Sequence, residues 1–263
     1  MLAKIFETKH AEVAAAKIAV PLEQIRAEAA EASKPRGFLH TLQRAGEVAL
    51  IAEVKMASPS QGLIRADFDP ADIAGIYEGA GAHALSVLTD HTYFQGSAGN
   101  LKAARRGCTL PVLRKDFIDD PYQVYEARAW GADAILLIVH ALEQSQLLDL
   151  HALAVELGMD VLVEVHTLEE AHRALEASAP LVGVNNRDLG DFTTDLTFSE
   201  TLLPQLCRHA FTVSESGIEC RADVDRVAAA GAQAVLIGTT FCAAPDIGWK
   251  VREVMGWHSP EGY

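Results

Sequence analysis

Eight short apolar runs, most of them followed by a stretch of helical character, set what this chain can fold into. They are Ala49–Val54, Ala84–Leu88, Pro111–Leu113, Ala134–Val139, Val161–Val165, Leu181–Val184, Phe211–Val213 and Ala234–Ile237. Helical candidates between and after them include Pro70–Gly79, Pro121–Trp130, Leu142–Leu157, Leu168–Ala177, Arg221–Ala230 and Ile247–Met255. Apolar runs without polar alternation are strands buried on both faces, and such strands belong to parallel sheets covered by helices. Gly79-Ala80-Gly81-Ala82, Gly131-Ala132-Asp133-Ala134 and Gly231-Ala232-Gln233-Ala234 stand where helices end, because glycine supplies the left-handed cap that turns the chain back to the sheet. Eight such units in succession predict an α/β fold, a closed TIM (β/α)8 barrel rather than an open doubly wound sheet. No GxGxxG follows the first run and no Walker-type glycine loop occurs, which weakens the open-sheet alternative further. The residues before the first run are rich in Ala, Glu, Lys and Arg and read as one or two amphipathic helices. They break near Val20-Pro21 and again at Lys34-Pro35-Arg36-Gly37. The expected organisation is an N-terminal helical extension over 1–45 packed on a catalytic barrel over 46–263, a single domain overall.

Composition enters through what it excludes. A formal net charge of −14 without a basic stripe argues against nucleic acid or an anionic membrane as partner. A few lysines and arginines focused in a cleft still suit an anionic small molecule. No stretch approaches the roughly 20 apolar residues that a membrane span needs. The N-terminus Met1-Leu2-Ala3-Lys4-Ile5-Phe6-Glu7 turns charged too soon for a secretory signal, so a cytoplasmic location is expected. Cys108, Cys207, Cys220 and Cys242 form no C-x-x-C pair, and no His/Cys box occurs. The expectation is free thiols and no metal site.

All strand C-termini of a parallel barrel lie at one face, and the active site is built there. Glu53 and Lys55 end the first run on one face, since residues two apart share a face. An acid and a base there are costly to bury unless paired with each other or with a ligand. The turn Ala57-Ser58-Pro59-Ser60-Gln61-Gly62 follows at once. The third run leads into Arg114-Lys115-Asp116-Phe117, the fifth ends on Glu164 and His166, and the sixth on Asn185-Asn186-Arg187-Asp188. Ion pairs at the rim, Glu53 with Lys55 or Lys115 with Asp116, are the bland alternative. Burial is expected to raise the pKa of Glu164 toward the range of general acid–base work. Arg187, on the same face as Asn185, suits an anion through its guanidinium fork. Ser216-Gly217 and Gly238-Thr239 end the seventh and eighth runs, where barrels place backbone N–H groups around a phosphate; Lys55 could add counter-charge. Phe94, Phe117 and Leu236 could wall an aromatic group. His83, His91 and His140 are assigned capping or surface roles.

With these motifs the chain resembles the indole-3-glycerol phosphate synthase family. The match rests on Glu53-Val54-Lys55 with Ala57-Ser58-Pro59-Ser60 and Gly62-Leu63-Ile64, then Leu88-Thr89-Asp90 and Tyr93-Phe94-Gln95-Gly96-Ser97. It continues through Pro111-Val112-Leu113-Arg114-Lys115-Asp116-Phe117, Leu136-Leu137-Ile138 and Val163-Glu164-Val165-His166. It ends with Gly183-Val184-Asn185-Asn186-Arg187-Asp188-Leu189, Ser214-Glu215-Ser216-Gly217-Ile218 and Leu236-Ile237-Gly238. The resemblance spans essentially the whole chain, including the N-terminal extension, whose extra helix in that family helps cap the barrel. It implies closure of an indole ring on 1-(2-carboxyphenylamino)-1-deoxyribulose 5-phosphate with loss of CO2 and water, in tryptophan biosynthesis, with no metal and no organic cofactor. It implies Lys115 as the acid on the ketone oxygen and Glu164 in the later proton transfers. Glu53 and Lys55 would complete the set, with Lys55 also near phosphate or carboxylate. Asn185 would hold hydroxyls, and Arg187 would assist anion recognition. Ser58, Phe94, Phe117 and Leu236 would shape the aromatic pocket, and Gly217, Gly238 and Thr239 would bind phosphate beside Ser216, which joins the catalytic set. The partner implied is a phosphorylated aromatic small molecule, and family members are often monomers.

The chain departs from the family at Met56, Gln61 and His140, and Thr239-Thr240-Phe241-Cys242 replaces the usual continuation after Gly238. Two other readings stand beside this one. A Schiff-base aldolase on the same fold would use Lys115 as nucleophile, and a barrel without activity would only bind a phosphorylated ligand. The Glu53/Lys55/Lys115/Glu164 set does not fit phosphoribosylanthranilate isomerase, which shares the phosphate site.

Overall fold

The eight apolar runs become eight parallel strands in a computed structural model that describes residues 2–188 and 193–257; Leu189 lies outside the described residues. The strands are β1 (Ala49–Val54), β2 (Ala84–Leu88), β3 (Val112–Lys115), β4 (Ala134–Ile138), β5 (Asp160–Val165), β6 (Leu181–Asn185), β7 (Phe211–Glu215) and β8 (Ala234–Ile237). β1 pairs with β2 on one side and with β8 on the other, so the sheet closes on itself. The helices that follow are α4 (Pro70–Gly79), α5 (Ala98–Gly107), α6 (Pro121–Trp130), α7 (Gln144–Glu156), α8 (Leu168–Glu176), α9 (Thr197–Leu206) and α10 (Arg221–Ala230). A short α11 (Thr239–Cys242) and α12 (Ile247–Met255) complete the ring, and α1 (Leu2–Ala19), α2 (Leu22–Glu31) and α3 (Phe38–Gln43) precede the barrel. Asp69, Asp120, Thr167 and Asp246 begin their helices by accepting backbone N–H groups.

Three strands run further than apolar patterning predicts, because their last residues are polar. Lys115 pairs in the ladder with Leu88, and Asn185 with Glu215. The backbone therefore holds these side chains as rigidly as it holds the core.

Alternation along each strand divides the apolar residues into two sets. Leu50, Ala52 and Val54 of β1 face the helices in the outer core. Ala49 and Ile51 face inward, packed with Leu113, Ala134, Leu136, Leu162, Leu181, Val213, Ala234 and Leu236. The same parity continues upward. Glu53 follows Ile51, Lys115 follows Leu113, Glu164 follows Leu162, and Glu215 follows Val213. Four charged side chains thus end the inward columns that four apolar residues begin.

The N-terminal helices touch both ends of the barrel. Phe38 and Leu42 of α3 are fully buried in the inner core, and the Leu39 N–H donates to Asp160 at the start of β5. Arg36 donates to the carbonyls of Arg105, Cys108 and Leu110 on the same end. α2 lies against α6, where the Tyr122 hydroxyl donates to Ala16 and Val20 carbonyls. α1 reaches the opposite, C-terminal face. There the Lys9 ammonium, buried in the protein, lies 2.9 Å from Asp90 and 3.0 Å from Asp116, just beyond the ends of β2 and β3. Arg114 completes the cluster, 3.0 Å from Asp116, with its guanidinium stacked 4.1 Å over Trp130.

Removing Lys9 leaves two buried carboxylates with less counter-charge, a loss of about 3 kcal/mol by analogy with broken buried pairs. Urea unfolding followed by circular dichroism should show that drop for Lys9→Met. A loss under about 1 kcal/mol, the range of an exposed pair, would show that Arg114 satisfies the cluster alone.

Candidate active site

At the C-terminal face the inward columns open into a cleft of about 590 Å³. Lys55, Ser58, Phe94, Phe117, Arg187, Ser216, Gly217 and Thr239 line it together with Glu53, Lys115, Glu164, Asn185, Leu236 and Gly238, so every site residue expected from the sequence meets in one place. Glu215, Thr194, Lys250 and, from α1, Leu2 and Ile5 also line it.

Lys115 is the centre. Its ammonium lies 2.8 Å from Glu164 Oε2 and 3.2 Å from Glu215 Oε2. Burial by itself lowers the pKa of a lysine, but Glu164, Glu215 and Glu53 outweigh it and hold Lys115 above its ordinary value. It is a cation at neutral pH. The alternative of a rim pair between Lys115 and Asp116 is not what forms; Asp116 turns outward to Arg114, Lys9 and the Thr89 hydroxyl.

The two carboxylates beside Lys115 behave oppositely. Burial pushes Glu164 up, but Lys115, His166 and Asn185 overcome it and keep its pKa below the ordinary value. The sequence-based expectation of a raised Glu164 is therefore wrong, because its strongest partner stands 49 residues away. The raised group is Glu215, lifted by burial and by the neighbouring Glu164 and Glu53 charges to about 7 despite Lys115. Among the described residues neither of its carboxyl oxygens finds a well-aligned hydrogen-bond partner, and Lys115 stands beside it as an ion pair at 3.2 Å. Glu215 was hidden within Ser214-Glu215-Ser216-Gly217, which reads as a phosphate turn. Its inward parity, two residues after Val213, was the available signal.

Glycines make room for these carboxylates. A Cβ at Gly183 would overlap Glu215 Oε1, and one at Gly238 would overlap Glu53 Oε1. Gly238 thus has a packing reason to be glycine, independent of any ligand. Glu53 lies 3.1 Å from the Lys55 ammonium and accepts the Ser86 hydroxyl at 3.3 Å, so the pair foreseen from the sequence forms inside the cleft rather than at its rim.

One side of the cleft is aromatic. Phe94 and Phe117 lie 6.1 Å apart between centroids, and Phe6 from α1 meets Phe117 edge-on at 5.8 Å. Lys55 sits 5.9 Å from the Phe94 ring. The Asp90 carboxylate orders the Phe94 loop by accepting the Tyr93 and Phe94 N–H groups. Ser58 lies buried in a small antiparallel hairpin, Ala57–Ser58 with Gly62–Leu63. On another side, Ser216 and Gly217 adopt consecutive left-handed conformations, φ 68° and 75°. Such a backbone costs a non-glycine residue about 1 kcal/mol. Buried Asn186 holds it by donating to the Glu215 and Ser216 carbonyls. Arg187 follows, its N–H donating to Asn185 Oδ1 at 3.1 Å, and its backbone bridges to Thr194. His83 accepts the Leu50 N–H, while His91 and His140 are exposed, as expected.

A protein-family model described as indole-3-glycerol phosphate synthase matches residues 2–254. A protein of that name from Neisseria gonorrhoeae (strain NCCP11945) is 55% identical over 257 residues, covering 97% of this chain and 98% of its own. One from Rhodospirillum rubrum is 51% identical over 260 residues, covering 97% and 99%. Among solved structures, a mutant tryptophan synthase alpha-subunit from Pyrococcus furiosus aligns with a TM-score of 0.61 at 16% identity, covering 79% of this chain and 98% of that one. A thiamine phosphate pyrophosphorylase from the same organism gives 0.61 at 15% identity, covering 81% and 96%. At such identities these two establish the shared barrel alone.

The Glu215 carboxyl holds its proton to about pH 7 in the folded chain, against 4.5 for the ordinary side chain. Its stabilising contribution is complete below 4.5 and is lost as pH rises through 7. Glu215→Gln cannot ionise, so its stability should improve relative to the parent protein as pH rises across that window. Equilibrium unfolding at a series of pH values tests this, and parallel stability curves for the two proteins would refute the raised carboxyl.

Proposed function

The chain belongs to the indole-3-glycerol phosphate synthase family, and from that premise we propose how its residues convert 1-(2-carboxyphenylamino)-1-deoxy-D-ribulose 5-phosphate into indole-3-glycerol phosphate, CO2 and water. The observation that carries the reading is Lys115, a buried cation between a carboxylate held ionised, Glu164, and a carboxyl held protonated near neutrality, Glu215. Opposed protonation states in one cleft are what separate acid and base steps require.

The substrate is aromatic and anionic at one end and phosphorylated at the other, with a ketone between. The carboxyphenyl ring packs against Phe94, Phe117 and Leu236, with Ser58 on the hairpin beside it. The phosphate lies at Ser216-Gly217 and Gly238-Thr239, and Arg187 and Lys55 supply positive charge along the way. This places the ketone oxygen at Lys115. As the ring carbon bearing the carboxylate attacks the ketone carbon, negative charge develops on that oxygen. The Lys115 ammonium stabilises it and delivers a proton, forming a hydroxyl. Loss of CO2 leaves its bonding electrons in the ring. The hydroxyl then departs as water, with a proton from Lys55, whose charge Glu53 sustains. Glu164 takes the proton whose removal completes the indole. Asn185 orients Glu164 and the hydroxyls of the sugar chain.

The alternative of a Schiff base at Lys115 fits the geometry poorly, because a nucleophilic amine must be neutral and three glutamates favour its charged form. We further propose that the protein acts as a monomer in the cytoplasm, and that residues 1–45 fold as one unit with the barrel of 46–263.

Turnover of the carboxyphenylamino substrate, followed by indole fluorescence and CO2 release, tests the assignment. Lys115→Ala should lower kcat on the order of a thousandfold, and Glu164→Gln by about a hundredfold or more. Wild-type turnover by folded Lys115→Ala would sink the mechanism. Borohydride added with a keto-phosphate should leave no adduct; a covalent adduct on Lys115 would favour the aldolase instead.

A further inference from the structure

Glu164 has two oxygens, and only one faces Lys115. The other, Oε1, lies 3.6 Å from Nε2 of His166, the next inward residue beyond the end of β5. On the far side of the imidazole, Nδ1 lies 3.5 Å from Glu170 Oε2, one turn into α8. Glu170 Oε1 in turn lies 3.0 Å from Nδ1 of His140, in the turn after β4. The His140 side chain is 56% exposed, whereas those of His166 and Glu170 are 10% and 8% exposed. The groups form a single file from the catalytic carboxylate to water: Glu164, His166, Glu170, His140.

The imidazole of His166 is buried, and among the described residues neither ring nitrogen has a well-aligned hydrogen-bond partner. Both nitrogens stand only a few tenths of an ångström beyond the usual hydrogen-bond reach of a carboxylate, within the range that small side-chain motion covers. Its backbone N–H donates to Glu170 Oε2 at 2.7 Å, which fixes that carboxylate in place. The other charged groups facing it are Lys115, behind Glu164, and Glu215 from β7. Arg173 on α8 is turned away, its guanidinium donating to the Val139 carbonyl and to Gln144. Burial disfavours a charged imidazole here, but Glu170, Glu164 and Glu215 together raise its pKa above the ordinary value.

The reaction needs such a path. Closing the ring and expelling water deliver two protons to the substrate, and completing the indole returns one. The loss of CO2 from an ionised carboxylate leaves the balance one proton short, so each turnover consumes one proton from solvent. Lys115 becomes neutral at ring closure, while substrate fills the cleft and α1 lines its rim. We propose that His166, Glu170 and His140 are a proton relay that recharges the Lys115–Glu164 pair from the protein surface. This rests on the reading of Lys115 as acid and Glu164 as base. The His166 Nε2–H bond breaks as Glu164 Oε1–H forms, and Glu164 passes a proton from Oε2 to the Lys115 amine. His166 regains its proton at Nδ1 through Glu170, which His140 supplies in turn from water. No electrons change hands. The same file run outward removes the proton that Glu164 takes from the substrate; these two passages cancel, and the one proton consumed per turnover restores Lys55 in the cleft once product leaves.

Steady-state kinetics of His166→Gln and His140→Ala in dilute and in concentrated buffer test the relay. His166→Gln should lose kcat on the order of tenfold or more with KM little changed, and added imidazole should restore kcat in proportion to its concentration. His140→Ala, at an exposed site, should be slow only in dilute buffer. A merely structural role gives a loss that neither imidazole nor buffer recovers, and that result, or an unchanged kcat in His166→Gln, overturns the proposal. Glu164→Gln separates the two readings. If it stays active, the acid–base assignment is what fails; if it is inactive in every buffer while His166→Gln is rescued, both stand.

Discussion

An ammonium sealed in the mouth of an apolar barrel is the condition on which the rest of this site depends. Lys115 is held on the last residue of a strand, so it cannot retreat to solvent as a loop lysine would. Its charge must be met where it stands, and Glu164 and Glu215 meet it. Two carboxylates around one cation repel each other, and the repulsion is resolved unequally. Glu164, which also faces His166, keeps its charge, and Glu215, with no well-aligned hydrogen-bond partner among the described residues, keeps its proton. One buried cation thereby leaves one neighbouring carboxylate ionised and the other protonated. Gly183 and Gly238 follow from the same demand, since each gives up a side chain to a carboxylate that packs against its backbone.

The barrel was legible in the sequence because strands buried on both faces lose polar alternation, and left-handed glycines such as Gly131 and Gly231 mark the return from helix to sheet. Pro70–Gly79, Pro121–Trp130, Arg221–Ala230 and Ile247–Met255 fall where periodicity places helices. α5 and α9 carry weaker signals: α5 is rich in Arg, Gly and Asn, and α9 contains Pro204. The residues brought into the cleft were legible because parity survives past the apolar part of each strand. What sequence could not supply was pairing across the barrel. Lys115 reads as a neighbour of Asp116, yet its partners come from β5 and β7. The direction of the Glu164 pKa and the importance of Glu215 both depend on that unseen proximity. The contribution of Leu2, Ile5 and Phe6 was equally hidden, because nothing local says where a separate helix will dock.

That docking is specified by charge more than by area. Lys9 sits one turn beyond Ile5 and Phe6 on α1 and meets Asp90 and Asp116. Asp90 also orders the Phe94 loop, and Asp116 accepts the Phe117 N–H. A single ammonium therefore registers the helix, both aromatic rings and the strand end carrying Lys115 against one another. Apolar surface alone would hold α1 on the barrel with less regard to position, since hydrophobic contact has no direction.

The N-terminal helices also bear on how the protein is made. They are translated ahead of the barrel, and groups that hold them lie later in the chain: Asp90 and Asp116 for α1, Tyr122 for the end of α1, Asp160 and the inner core for α3. These helices cannot take their places until those later partners have been made. Synthesis thus runs opposite to assembly here, since helices made ahead of the barrel are seated only by residues that follow them.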